Sequence, residues 1–272
     1  MTTHQVPPGI IEFYSSTINE ADRLSVPADG VLEMVRTQEL LRRHLPPAPA
    51  SVLDVGGGPG SHARWLLADG YRVHLVDPVE RHIAEAGKTG CTVELGDARS
   101  LTAADDSYDV VLLLGPLYHL IDGEHRRAAM AEAHRVVKPG GLVAAAGISR
   151  YASLFEHTAL AHLDRPSLQN GISKILAGGA HDGRKGFTEA YFHTAAELSE
   201  ELSGAGLTDT TVYGVEGPAW SLLKATEHHT GESLADSAMF QSALAAARMA
   251  EPYPDLLAAS SHLLAVGRRP VG

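Results

Sequence analysis

The run Val52-Leu53-Asp54-Val55-Gly56-Gly57-Gly58-Pro59-Gly60 joins a short apolar segment to a glycine-rich turn. His62 to Asp69 follows with helical spacing, placing Ala63, Leu66 and Leu67 on one face. The whole reads as a strand, a tight turn and a helix N-terminus. Glycines carry no Cβ, so a ligand can come close to the backbone there. The unpaired N–H groups and dipole at the start of the helix favour a negative group. Two templates fit the turn. Gly58 to Ala63 matches the dinucleotide pattern G-x-G-x-x-A. Asp54 to Gly60 matches D-x-G-x-G-x-G, and the acid two residues before the first glycine has no place in the dinucleotide pattern. Asp54 also has a plain structural reading, as a strand-end acid bonding the amides of its own turn.

Around this stretch the chain alternates strand and helix. Val31 to Leu45 is amphipathic, with Leu32, Val35, Leu40 and Leu41 on one side and Pro46-Pro47 as the stop. Arg72–Val76 reads as a strand closed by Asp77-Pro78, followed by a short helix over Val79–Ala86. Thr92–Leu95 is a strand ending in Gly96-Asp97. Tyr108–Leu114 is almost wholly apolar, as suits a central parallel strand. Glu124–Val137 reads as a helix broken by Lys138-Pro139-Gly140-Gly141, with a strand over Leu142–Ile148. This alternation predicts a parallel α/β sheet covered on both faces. Further on, Thr194–Ala205 reads as a helix, and Leu207–Val215 and His262–Val266 as strands. The organisation expected is an N-terminal helical cover over 1–45, a core over 46–150, a cap insertion over 151–190, and a return to the core over 191–272 with a helical insertion at 218–258.

Composition narrows the function. With 272 residues the chain is long enough for a sizeable core. A net charge of -11 disfavours a nucleic-acid backbone as partner. The single cysteine, Cys91, permits no internal disulfide and fits a reducing, cytoplasmic setting as a small core residue. No signal peptide or membrane-length apolar run is visible. The fifteen histidines form no H-E-x-x-H and there is no C-x-x-C, so no dedicated metal site is expected.

Five segments in order resemble the class I (Rossmann-like) S-adenosylmethionine-dependent methyltransferases of small-molecule type. Val52–Gly60 resembles their first motif and His74-Leu75-Val76-Asp77-Pro78 their second. Gly96-Asp97-Ala98-Arg99 resembles the third, Tyr108–Gly115 the fourth, and Arg135–Gly141 the segment before strand five. The resemblance covers residues 30–150 well and 190–270 loosely. It implies a seven-stranded, mostly parallel sheet of order 3-2-1-4-5-7-6, with His262–Val266 as the antiparallel strand. It also implies S-adenosylmethionine as cofactor, S-adenosylhomocysteine as product, and a small-molecule methyl acceptor.

The same resemblance assigns site residues. Asp54, Gly56, Gly57, Gly58 and Gly60 would admit the methionine part, and Leu114 and Gly115 would border it. Asp77 would accept from the ribose hydroxyls, since a carboxylate offers two acceptor oxygens to a diol. Pro78 would lie on the adenine, with Asp97 and the Ala98 N–H at its edge. Arg36 would pair with the methionine carboxylate. His119 is the candidate base and Tyr118 its neighbour, because both follow the fourth strand. Tyr14, Tyr118, His119, Tyr191 and His193 are candidates to line the acceptor pocket, and Arg23 is a further candidate from the N-terminal segment. Each also has a structural reading as packing, capping or a solvated face. The chain lacks the Asn/Asp-Pro-Pro-Tyr signature of amide methylation. The competing functions are a nicotinamide-dependent oxidoreductase, a non-catalytic S-adenosylmethionine-binding protein, and an enzyme using that cofactor for another reaction. A monomer or homodimer is expected.

Overall fold

The computed structural model describes residues 20–183 and 188–272. Its centre is β1 (Ser51–Val55), which lies parallel to β2 (Arg72–Asp77) on one side and β4 (Tyr108–Leu113) on the other. β3 (Thr92–Leu95) lies beyond β2, and β5 (Val137–Ser149) beyond β4. β9 (His262–Arg268) runs antiparallel to β5, with His262 opposite Ile148, and β8 (Thr208–Gly214) runs antiparallel to β9. These seven strands stand in the expected order, three and two beside one, then four, five, the antiparallel last strand and the strand before it.

Both faces are covered because β1, β4 and β5 carry buried apolar residues on both sides of the sheet. Leu53, Val111, Val143 and their neighbours face one way, onto Met130 and Ala133 of α4 (Gly123–Val136) and Leu198 and Leu202 of α7 (Ala195–Gly204). Val52, Val110, Leu112 and Ala144 face the other way, onto Leu40 and Leu41 of α1 (Ala28–His44) and Ala63 and Leu66 of α2 (Ser61–Ala68). The adjacent residues of each strand thus serve opposite layers. α7 begins as the sequence suggests: Thr194 accepts from the Glu197 N–H while Glu197 accepts from the Thr194 N–H. Cys91 is buried and unbridged.

Beyond the carboxyl ends of the strands lies a third apolar layer. It is made by α5 (Ala152–Ala159), α6 (Pro166–Gly178), α8 (Trp220–Thr230) and α9 (Ala238–Ala250) with the start of α1. Leu32, Ile148, Ile175, Phe192, Trp220 and Phe240 pack together there.

One local expectation is corrected, and two features are added. Lys138-Pro139-Gly140-Gly141 does not separate helix from strand. Val137 already pairs with Tyr108, and the next pair is Val110 with Leu142, so the four residues bulge out of a continuous strand. Gly140 takes φ +77° and donates its N–H to the Arg269 carbonyl, which fixes the bulge. Second, α6 is a full helix inside the expected cap insertion; its apolar side, Ile172 and Ile175, is short but buried. Third, β7 (Glu189–His193) extends the end of β5, pairing Phe192 with Ile148, and carries the short β6 (Ala180–Asp182).

Candidate active site

Two cavities open at the carboxyl edge of the sheet. The first is built largely from backbone turns. Gly56 and Gly58 after β1, Asp77 and Pro78 after β2, Asp97 and Ala98 after β3, and Gly115 after β4 line it. Gly56 (φ +69°) donates its N–H to the Val76 carbonyl, and a Cβ there would meet the Pro116 ring. The Gly58 N–H donates to Asp77 Oδ2 at 2.9 Å. Asp77 Oδ1 accepts from the Val79 N–H at 2.9 Å and lies 3.0 Å from His82 Nδ1. Oδ1 is therefore filled, while Oδ2 keeps one acceptor site.

Gly57 and Gly60 serve the turn from behind. A Cβ on Gly57 would stand 2.6 Å from Asp54 Oδ2 and from Leu75. Gly60 precedes α2 with φ +85°, a conformation that suits glycine. Asp54 is fully buried, and neither carboxylate oxygen has a hydrogen-bond partner among the described residues. Burial first, then the charge of Asp77, pushes its carboxyl up to about 7. The plain reading, in which Asp54 bonds the turn's own amides, is thereby excluded. An unpartnered buried acid behind a glycine turn suits a ligand that brings positive charge, which fits a sulfonium and an ammonium.

The expected residues divide. Asp97 lines the cavity, but both its oxygens are held by the Arg99 guanidinium, at 2.9 and 2.6 Å. Leu114 packs with the apolar layer instead of bordering the cavity. Arg36 does not reach either cavity. Its guanidinium is wholly buried, bonds Glu39 and Glu251, and donates to the Val215 carbonyl. The helix face that looked free for a ligand is covered by the chain's own C-terminal half. His82, Gly96, Arg99 and Pro116 line the cavity without having been anticipated. His82 sits in the first turn of α3 (Glu80–Ala86), the helix that Asp77 precedes, and that position was its available signal.

Pro116–His119 forms one helical turn after β4, and Tyr118 and His119 both line the first cavity. Their rings meet edge to face at 4.7 Å. His119 bonds the Glu189 backbone, yet burial outweighs this and pushes its imidazole down to about 4. Such a ring is neutral at pH 7 and resists taking a proton, at a cost of roughly 4 kcal/mol. Its burial thus suits a hydrogen-bonding group better than the base the sequence suggests.

The second cavity is wide, about 1080 Å³. α1, α5, α6, α8 and the ends of β5 and β9 enclose it. Tyr118 is the one residue among those described that lines both cavities. Phe192 lines the wide cavity, whereas Tyr191 and His193 do not. Side chains alternate along a strand, so these two project to the opposite face of β7. There Tyr191 lies under the Arg126 guanidinium at 3.7 Å, and His193 Nε2 is 3.3 Å from Glu201. Tyr14 lies outside the described residues. Arg23 lines the wide cavity and donates to Glu33 at 2.7 Å.

At the inner wall of this cavity Glu33, Glu216 and His262 bring one ligand atom each within 4.8 Å of one another, a grouping not anticipated from the sequence. They come from α1, from the segment after β8 and from the first residue of β9. Glu216 is buried and locked: one oxygen accepts from the Ser260 hydroxyl and the His262 N–H, the other meets His262 Nδ1.

A methyltransferase-domain family model matches residues 52–141. The chain is similar to a ubiquinone biosynthesis O-methyltransferase of Methylobacterium nodulans, 32% identical over 200 residues, covering 68% of this chain and 72% of the relative. In structure it resembles an S-adenosylmethionine-dependent methyltransferase of Mesorhizobium loti, with TM-score 0.57 at 21% identity, covering 88% of this chain and 100% of that one. It also resembles Haemonchus contortus phosphoethanolamine N-methyltransferase 2 in complex with S-adenosyl-L-methionine, with TM-score 0.55 at 17% identity, covering 87% of this chain and 52% of that one. The chain belongs to the class I S-adenosylmethionine-dependent methyltransferases. Its cofactor is S-adenosylmethionine, which decides between the two templates at the turn and sets the nicotinamide alternative aside. Among the described residues no helix is long and apolar enough to cross a membrane.

Proposed function

We propose that this enzyme methylates an O, N or C atom of a small molecule held in the wide cavity, with the cofactor in the glycine-lined one. The observation that carries the reading is that the two cavities share Tyr118 at the carboxyl edge of the sheet, where open α/β folds bind ligands. When bound, S-adenosylmethionine supplies an electrophilic methyl group on a positively charged sulfur.

The chain's own residues do the rest. Gly56 and Gly58 let the ligand lie against the backbone, and Asp77 Oδ2 takes a ribose hydroxyl. Pro78 and Ala98 border the base. Asp54 faces positive charge from behind the turn. Neutral His119 orients the acceptor atom, so proximity and alignment carry most of the rate. The helices α5, α6 and α8 exclude water from the acceptor and act as its cap.

Incubation with S-adenosylmethionine and a panel of phenols, carboxylic acids and amines tests this. Formation of S-adenosylhomocysteine with a methylated product supports it. Binding without turnover across the panel points to a non-catalytic role, and product without S-adenosylhomocysteine to another reaction.

A further inference from the structure

The wide cavity is rich in acids, yet its buried acids are already matched. Asp29 and Glu156 share Lys224, at 3.3 and 3.2 Å. Glu227 accepts from the backbone N–H groups of Ala28 and Leu234. Glu33 is matched by Arg23. His262 is different. Its Nδ1 is turned to Glu216 Oε1 at 2.5 Å, with Glu33 at 3.6 Å. The opposite edge of the ring carries Nε2, which bonds none of the described residues, and the ring itself lies in the cavity wall. Two carboxylates around Nδ1 keep the imidazole protonated. Burial pulls its pKa down, but Glu33 and Glu216 outweigh burial and raise it to about 9. Nε2–H is thus an unspent, charged donor, with its ring fixed by a buried partner.

Its place in the sheet sets the scale. His262 pairs with Ile148 at the end of β5, and β5 lies next to β4, whose end borders the cofactor cavity. Two strand spacings across the sheet and three residues along it separate them, about 14 Å. Between lie Tyr118, Ile148, Ile175 and Phe192, all in the wall of the wide cavity.

We propose that His262, oriented by Glu216, is the specificity-determining contact of the acceptor cavity and binds an anionic oxygen of an otherwise apolar acceptor: a phenolate, an enolate or a carboxylate. This rests on the wide cavity being the acceptor site. The charge-assisted hydrogen bond favours the ionised form of an acidic oxygen, and the apolar patch of Ile148, Ile175 and Phe192 in a largely polar wall favours a ring or short chain spanning toward Tyr118.

The test uses 4-nitrophenol, whose ionisation is visible by absorbance, with the full chain saturated with S-adenosylhomocysteine. Bound nitrophenol should ionise at least one pH unit below the free compound, a tenfold shift in its equilibrium, and benzoate should displace it. His262→Gln should abolish the shift. Glu216→Gln, which leaves the ring in place, should reduce it and carries the test if the first variant unfolds. Nitrophenol bound with its free ionisation, absence of binding at millimolar concentration, or a shift that survives His262→Gln would each overturn the proposal. S-adenosylhomocysteine binding, measured by calorimetry on the same samples, separates this from failure of the functional reading, since that binding is lost only if the first cavity is misassigned.

Discussion

The two cavities differ in what they are made of. The cofactor cavity is lined by turns at the ends of four parallel strands, and its shape is set by where glycines allow the backbone to go. The wide cavity is made of side chains from α1, α5, α6, α8 and β9. A backbone-built site is fixed by local sequence, while a side-chain-built site depends on which segments meet. Charge follows the same division: a lone buried acid behind one cavity, a matched chain of acids and bases beside the other.

The largest effect expected is on stability. Arg36→Ala leaves Glu39 and Glu251 without their buried partner and should cost about 3 kcal/mol, in the range for breaking buried ion pairs. Urea unfolding measures it, and S-adenosylhomocysteine affinity should stay within twofold of wild type. A selective loss of that affinity would put Arg36 back at the ligand and blur the division between the cavities.

Asp77→Ala strikes the one charged side chain that the cofactor turn leans on. It should weaken S-adenosylhomocysteine binding by about 2 kcal/mol, the scale of hydrogen bonds to a charged group. Unchanged affinity by calorimetry would mean the cavity works through backbone alone.

Gly57→Ala tests the turn's interior. The added Cβ meets Asp54 and Leu75 at 2.6 Å and should cost about 1–3 kcal/mol, as overpacking does. Gly178→Ala, with nothing within 4 Å, should cost nothing measurable. Equal thermal midpoints for the two variants would refute the packing account.

The two charges act in successive pH windows, each lowering stability as pH rises. Asp54 is raised to about 7, so the folded chain holds this proton more tightly than the unfolded one. Its effect is to lower stability as pH rises from about 4 to 7, and Asp54→Asn should remove that slope. His262 is raised to about 9, so its contribution is full below pH 6.5 and is lost as pH rises through 9. The difference between wild type and His262→Gln should shrink over that upper window. Unfolding midpoints from pH 4 to 9.5 check both, and a difference that is flat with pH would remove the residue concerned from the account.

Smallest is His119→Gln. An amide can keep a hydrogen bond to the acceptor, so turnover should fall less than tenfold. A loss of a hundredfold or more would restore the role of base to a ring whose environment argues against it.

What could be read in advance follows the same division. The strand ends, Gly56, Gly58, Asp77 and Gly115 were legible because each motif is local: a strand period, a turn residue, an acid at the strand's close. The alternation with helices pointed only to a parallel sheet covered on both faces; the order of the seven strands came from the family resemblance. Arg36 misled because its partners, Val215 and Glu251, lie 179 and 215 residues away. Tyr191 and His193 misled by one residue of strand parity, since Phe192 between them is the one that faces the cavity. The bulge at Gly140 reads like a helix stop because glycine and proline mark both. His262 carried no local signal at all; its importance comes from starting an antiparallel strand beside Ile148.

The wall around His262 has a consequence for how the protein is made. Each strand of the cofactor half pairs with one only 18 to 58 positions away in sequence, as Leu53 does with His74 and Val111. Arg23 and Glu33, in contrast, wait for His262, more than two hundred positions later. Contacts so distant along the chain bear the largest loop-closure cost and form late. During synthesis the glycine turn can find its helix and neighbours early, while the wide cavity has no inner wall until the final strand is inserted between β5 and β8. A chain arrested before Ser260 would hold the local half of the protein and lack the inner wall of its wide cavity.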